Sequence, residues 1–288
     1  MTDADAAHIL HPDQACTDRP LILVSWNGRE PPLWRLLLDT TPQFDLLLFD
    51  YSGSAMPAAL QCLPWPVTLL SECTECKGDI YQALAKHLTA NGLRPRFVGL
   101  IDDDVVLSVG DLNRLLHLGH CHGLHVLSAA LSHDSHYTHR WMLHQPHRIL
   151  REVDWVEVMM PIYDGALFLA AAPHFEGNVS SWGIDMYLMP TLQQLTGCTR
   201  TAIVDAVMAS HVRPVTSGHG AFRHGQTAAQ ENARMKQLCR DLLRRHRPEL
   251  LRTDWYQRIF VQRHVRNRWR QLVTGLGRPL RRWLDSST

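Results

Sequence analysis

Three adjacent carboxylates, Asp102-Asp103-Asp104, follow the apolar run Phe97-Val-Gly-Leu-Ile101 and precede Val105-Val-Leu107. At the carboxyl end of a buried strand such charges repel one another, and a divalent cation is the simplest way to offset that repulsion. The position also suits a ligand, because open α/β sheets bind theirs beyond the carboxyl ends of the strands. The competing reading is a solvated acidic run that caps the next helix. A second group is Ser181-Trp-Gly-Ile-Asp185. Trp182 could stack on the apolar face of a sugar or base, Gly183 would let backbone approach, and Asp185 could take a proton from an acceptor hydroxyl. A buried Trp followed by an Asp helix cap accounts for the same residues. The third group is Ala202-Ile-Val-Asp205 followed by His211-Val-Arg213. An imidazole added to carboxylates shifts preference from Mg²⁺ toward Mn²⁺ without excluding either, and Arg213 could neutralise a diphosphate.

These groups need elements to hold them. Short apolar runs at Leu21–Ser25, Leu46–Asp50, Val67–Leu70 and Phe97–Ile101 lack polar alternation, as strands covered on both faces do. Between them the spacing predicts helices over Asp79–Asn91, with Asp79 as the cap, and over Val109–Leu118. Alternation of strand and helix predicts an α/β domain with a mostly parallel sheet flanked by helices. From about His133 to Arg151 the pattern gives way to a long loop. Beyond it Trp155–Met159 reads as a strand, Gly165–Ala170 as a strand-to-helix step, Asp185–Leu195 as a helix despite Pro190, and Ala202–Asp205 as a short strand. Helices are expected over Ala229–Arg245 and Thr253–Val273.

Composition bounds the rest. The 288 residues hold 29 Lys and Arg against 28 Asp and Glu, a net charge of +1, so no whole-chain argument for nucleic acid or membrane arises. The charges are unevenly spread. From Glu231 onward 15 basic residues face 5 acidic ones, whereas the preceding chain has 14 and 23. The basic segment offers an apolar stripe of Trp255, Ile259, Val265, Trp269 and Leu272 beside Arg258, Arg263, Arg266 and Arg270. That pattern suits peripheral attachment to anionic lipid, and equally a helix packed on the catalytic domain with snorkelling arginines. Nucleic acid is a poorer partner, since no recognised module accompanies the tail. Seven cysteines, an acidic N-terminus and no spanning apolar run predict a cytoplasmic protein, with the inner membrane face as its possible surface. The expected division is an N-terminal segment at 1–18, a catalytic domain at 19–225 and a basic helical extension at 226–288.

Leu100-Ile-Asp-Asp-Asp-Val105, Val156-Glu-Val-Met-Met-Pro161, Ser181-Trp-Gly-Ile-Asp185, Ile203-Val-Asp205 and His211-Val-Arg213 stand in an order and spacing that resembles the GT-A-fold glycosyltransferases. The likeness is to a branch with DDD, VEvMxP and WGxD motifs, and covers roughly Leu21 to Arg213. It implies a Rossmann-type, mostly parallel sheet with a helical C-terminal extension. It also implies transfer of a sugar from a nucleoside-diphosphate donor, a UDP-sugar foremost, to a hydroxyl of a glycan or glycolipid. The DxD pattern falls on Asp102 and Asp104, with Asp104 expected on Mn²⁺ or Mg²⁺ and Asp102 or Asp103 on the ribose or a metal-bound water. His211 completes the metal shell, Asp185 is the acceptor-side base, and Glu157 and Trp182 belong to the acceptor side. Asp50 would face the nucleotide base and Lys77 the donor phosphates or ribose. The His-rich stretch after Ser132 matches no part of the pattern.

Two other functions compete. The fold could serve as a carbohydrate- or nucleotide-binding module without turnover. A metal-dependent hydrolase would instead use the histidines between His117 and His147, including His120-Cys-His122, although these show no HExxH arrangement. Cys73-Thr-Glu-Cys76 has a zinc-like spacing but no second pair. Ser217-Gly-His-Gly220 lacks the Lys-Ser/Thr of a phosphate loop.

Overall fold

A computed structural model describes residues 18–29, 36–55, 63–214 and 220–261. In chain order the strands are β1 (Leu21–Trp26), β2 (Leu36–Leu37), β3 (Asp45–Asp50), β4 (Val67–Ser71), β5 (Phe97–Ile101), β6 (Val105–Ser108), β7 (Val126–Leu131), β8 (Arg151–Glu152), β9 (Ile162–Asp164) and β10 (Thr201–His211). They form one sheet in the order β2-β6-β10-β7-β9-β5-β1-β3-β4, with β8 on β10. β1, β3, β4 and β5 run parallel, and β7 pairs parallel with β10. β9 lies antiparallel between β5 and β7. Every residue of β1, β5 and β7 is buried, which is why these runs lack polar alternation.

The helices are α1 (Lys77–Ala90), α2 (Val109–Cys121), α3 (Gly165–Ala171), α4 (Met189–Thr196), α5 (Ala228–His246) and the short α6 (Asp254–Tyr256). α2 opens on a reciprocal cap: Ser108 Oγ accepts from Asp111 N at 2.9 Å, and Asp111 accepts from Ser108 N at 3.2 Å. Beneath the helices Tyr81, Tyr163, Phe168 and Phe175 pack ring on ring, and the two tyrosine hydroxyls share a buried hydrogen bond of 3.0 Å.

Four expectations about elements need correction. Trp155–Met159 is not a strand. Residues 159–161 run beside β5, and Leu100 N and Asp102 N donate to Pro161 O and Met159 O, each at 3.0 Å. Pro161 has no N–H with which to answer, so the ladder stops there. Asp79 does not cap α1. The helix begins two residues earlier, and Gly78 N donates to Val179 O at 2.8 Å. The segment after Gly183 starts as a π-helical turn, Ile184–Leu188, and becomes α-helical only at Met189, with Pro190 in the first turn. Ala202–Asp205 is the beginning of an eleven-residue strand whose register on β7 jumps between Val204 and Met208.

The chain divides into two compact units, 1–239 and 240–288, with the division inside α5. In the second unit the described residues end α5, form a 3₁₀ turn at Pro248–Arg252, and stack Tyr256 on Phe260 at 4.7 Å. The expected stripe from Val265 to Leu272, with Arg263, Arg266 and Arg270, lies outside the described residues. Among those residues no helix is long and apolar enough to cross a membrane.

Candidate active site

The three aspartates occupy the step from β5 to β6, and each has its own basic partner. Asp102 Oδ1 meets Lys77 Nζ from the first turn of α1. Asp103 accepts from Arg213 Nη1 at 3.2 Å and from the Tyr51 hydroxyl at 2.8 Å, and its backbone N donates to Ser25 Oγ at 3.0 Å. Asp104 Oδ2 lies 3.3 Å from His211 Nε2. The repulsion that the sequence left to a cation is thus met by the chain's own Lys77, Arg213 and His211.

His211 stands here because β10 turns back on β6. The two strands pair antiparallel with His211 opposite Val105, and Val212 N donates to Asp104 O at 2.9 Å. Its Nδ1 is 2.7 Å from the His136 carbonyl. A carbonyl can only accept, so Nδ1 carries a proton and Nε2 is the nitrogen turned to Asp104. Burial alone would lower the His211 pKa, but the Asp104 hydrogen bond and the His136 carbonyl raise it on balance. Asp104 shows the reverse: burial pushes upward, and His211 draws the carboxyl below its ordinary range. Asp102 is pushed up to about 6 by burial and by Asp104, against the attraction of Lys77.

Two buried carboxylate oxygens beside this group have no hydrogen-bond partner among the described residues: Asp104 Oδ1 and Glu157 Oε2. Burial raises the pKa of Glu157, against a hydrogen bond with Thr138 and the electrostatic pull of His211 and Lys77. An unpartnered buried carboxylate oxygen is unfavourable by itself. A divalent cation would satisfy Asp104 Oδ1, and the Nε2 of His211, once unprotonated and released from Asp104 Oδ2, is of the right chemical type to join it. These two residues therefore fit a divalent ion, while Asp102 Oδ1 is engaged by Lys77. Among the described residues no group of three or more His, Cys, Asp or Glu is assembled as a metal cage, at this place or in the His-rich stretch.

Asp50 lies at the end of β3, fully buried. Its carboxylate accepts from Ser52 N (2.9 Å), Ser52 Oγ (2.6 Å), Ser71 Oγ (2.7 Å) and Ala55 N (2.7 Å). Burial opposes ionisation, yet these bonds hold its pKa below the ordinary value. The carboxylate anchors the loop after β3, which carries Tyr51 toward Asp103.

The Trp182 turn lies across the first turn of α1. Besides the Gly78 bond, Gln82 Nε2 donates to Asn178 O at 3.2 Å, and a Cβ on Gly78 would stand 2.1 Å from that same oxygen. Trp182 is 48% exposed and Asp185 is buried in the π-helical turn. The charges of Asp185 and Asp102 both act on the buried Tyr81 hydroxyl, so the two motifs flank one point of the core.

Several supporting residues carried no signal in the sequence. Tyr51 and Ser25 sit at strand ends beside Asp103, and only their position after apolar runs could have marked them. His136 acts through its backbone, so its side-chain type says nothing of the role. Arg223 grips Asp79 through two bonds of 2.6 Å, and Glu231 holds the turn before Trp182.

No family model matches this chain, and no curated protein matches it. Solved structures do share its architecture. The crystal structure of S. aureus TarS 1–349 has a TM-score of 0.50 at 12% identity, over 80% of this chain and 66% of that one. TarS 1–349 in complex with UDP gives 0.52 at 13% identity, over 86% and 72%. A further crystal structure of TarS gives 0.50 at 13%, over 82% of this chain and 40% of that one. The fold is therefore GT-A-like: a mixed, mostly parallel sheet with flanking helices. The chain spans just under two thirds of the first TarS structure.

Proposed function

We propose that this chain is a metal-dependent glycosyltransferase that moves a sugar from a UDP-sugar to a hydroxyl of a glycan or glycolipid. The observation that carries the reading is the convergence of Asp104 and His211, brought from strands far apart in sequence, with Asp104 Oδ1 buried and unpartnered among the described residues. Support for the donor comes from the GT-A-like fold it shares with TarS, a protein crystallised with UDP.

Asp104 and His211 would hold Mn²⁺ or Mg²⁺, which when bound supplies positive charge against a leaving diphosphate. Arg213, part-exposed beside Asp103, is a guanidinium that could exchange the Asp103 carboxylate for a diphosphate. Lys77 and Asp102 form a pair whose donors and acceptors suit phosphate and ribose hydroxyls. Trp182 offers a flat apolar face to the acceptor. In an inverting displacement Asp185 takes the proton of the attacking hydroxyl as the new bond forms.

The test is UDP release from a panel of UDP-sugars with and without Mn²⁺, alongside the thermal shift produced by UDP. Release that needs the cation, with UDP raising the melting temperature only when it is present, is the expected result. UDP binding with neither hydrolysis nor transfer on any donor would convert the reading to a binding module. No shift with any nucleoside diphosphate would discard it.

A further inference from the structure

The turn that carries Trp182 is not at ease with its own backbone. Ser181 has a positive φ of 66°, which an L-residue other than glycine seldom adopts, and Gly183 follows at 88°. The next turn is π-helical, with Leu188 N reaching back five residues to Gly183 O at 2.9 Å. Such geometry persists only where the surroundings over-determine it, and it concentrates at working sites.

The over-determining group is Glu231, in the first turn of α5 and with a fully buried side chain. Its Oε1 accepts from Val179 N at 2.9 Å and from His224 Nε2 at 2.6 Å. Its Oε2 accepts from Ser180 N at 2.7 Å and from Ser180 Oγ. Ser180 Oγ in turn accepts from Trp182 N at 3.1 Å, so the carboxylate reaches Trp182 through one hydroxyl. His224 Nδ1 accepts from Gln226 N at 3.3 Å, which leaves the proton on Nε2 and makes the neutral ring the donor. Burial opposes ionisation of Glu231, but these donors hold its pKa below the ordinary value. α5 then closes over the turn: a Cβ on Gly183 would lie 2.9 Å from Met235 Cβ and 3.2 Å from Asn232 Oδ1.

One residue before His224, Arg223 makes its two bonds to Asp79, two positions along α1 from Lys77. Residues 223–231 thus brace the Trp182–Asp185 turn and the Lys77 end of α1, and Gly78 N ties those two to each other. We infer that Glu231 is a positioning residue that, through Ser180 and with His224, fixes the turn bearing Trp182 and Asp185 against the Lys77 end of α1. The inference deepens the transferase reading and rests on it for the chemistry, but the hold on the turn is a property of the folded chain.

Glu231→Gln keeps size and shape but replaces one oxygen by an NH₂ group, which must face donors on whichever side it points. Ser180→Ala removes only the bridging hydroxyl. Ile22→Val, a buried truncation in β1, serves as a comparison for general loss of stability. With a UDP-sugar and Mn²⁺, Glu231→Gln should lower kcat for UDP release at least about tenfold while the donor KM stays within about twofold; Ser180→Ala should fall in the same direction by about threefold. Ile22→Val should keep kcat. If both variants match Ile22→Val, the inference is overturned. Should Glu231→Gln not fold, Ser180→Ala carries the test.

If the unsubstituted protein releases no UDP from any donor, the transferase reading fails and a second measurement decides the positioning. In protein labelled with 5-fluorotryptophan, the Trp182 resonance is assigned by its loss in Trp182→Phe. It should shift or broaden in Glu231→Gln and Ser180→Ala and stay fixed in Ile22→Val. A Trp182 resonance unmoved in both variants overturns the inference.

Discussion

Asp205, a buried acid on β10, and Asp104, a part-buried acid beside the far end of that strand, are treated in opposite ways. Asp205 accepts from Arg151 Nε at 2.7 Å, Arg151 Nη2 at 3.2 Å and Gln145 N at 2.8 Å. Arg151 is itself held by the carbonyls of Trp141 and Leu143. Every group in that network has a partner, and it bolts the long loop after β7 to the strand. Asp104 has one imidazole at 3.3 Å and one oxygen with no partner among the described residues. The first arrangement answers every acceptor of its carboxylate, and the second leaves one oxygen unanswered.

Substitutions can break this contrast. Asp205→Ala leaves the Arg151 guanidinium buried without its counter-ion and should cost about 3–5 kcal/mol of stability, read by denaturant unfolding; a loss near zero would make the bolt dispensable. Asp104→Ala and His211→Ala should lower Mn²⁺-dependent UDP release by about 10²–10³-fold, while Asp104→Ala changes stability by about 1 kcal/mol or less. Full turnover in both variants would remove the pair from the site. Asp185→Asn should slow transfer by about 10²-fold with UDP affinity by calorimetry unchanged, and an unaltered rate would take the base away from Asp185.

The smallest effect is on pH. The pKa of His211 is raised above 6.5, so the stability it contributes is complete below 6.5 and is lost as pH rises through the higher folded value. Asp104 is lowered from 3.8, and its contribution is present above that value and lost as pH falls through the folded one. A cation needs the unprotonated Nε2 of His211, so UDP affinity in the presence of Mn²⁺ should rise by up to about tenfold per pH unit until His211 is neutral. Asp102, titrating at about 6, steepens the lower end of that range. A profile that is flat from pH 5.5 to 8, or one unchanged in His211→Ala, would separate the imidazole from cation binding.

Much of this was legible in the chain. β1, β3 and β5 announce themselves as apolar runs because both faces are covered. β4 keeps an apolar run at the sheet edge where none of its residues is buried, against the expectation of two covered faces, and the step after Ile101 places the aspartates at a strand end. The bringing together of Asp104 and His211 was implied by the resemblance to the GT-A-fold pattern, not by their types alone. What could not be read was the set of partners that answer the charges. Lys77, Arg213 and Tyr51 reach the trio across 25, 110 and 52 residues, and nothing local encodes such closures. Trp155–Met159 misled because burial without pairing looks, in sequence, like burial with it. The bracing by Glu231 is invisible for another reason: an acid near a helix N-terminus is ordinary there, and only its four donors distinguish it.

The irregularity in β10 has a consequence for parity. Between Val204, opposite Ala129, and Met208, opposite Ala130, the strand takes three residues that its neighbour does not. Side chains alternate along a strand, so the number of residues in that detour decides which of them ends opposite Val105. Delete one while the pairing to β6 is kept, and Val212 arrives where the imidazole had been. The chemistry of the far end of the strand is thus written in a count made four to six residues earlier, and exchange of the Ala206 side chain within the detour should be far better tolerated than a change in its length.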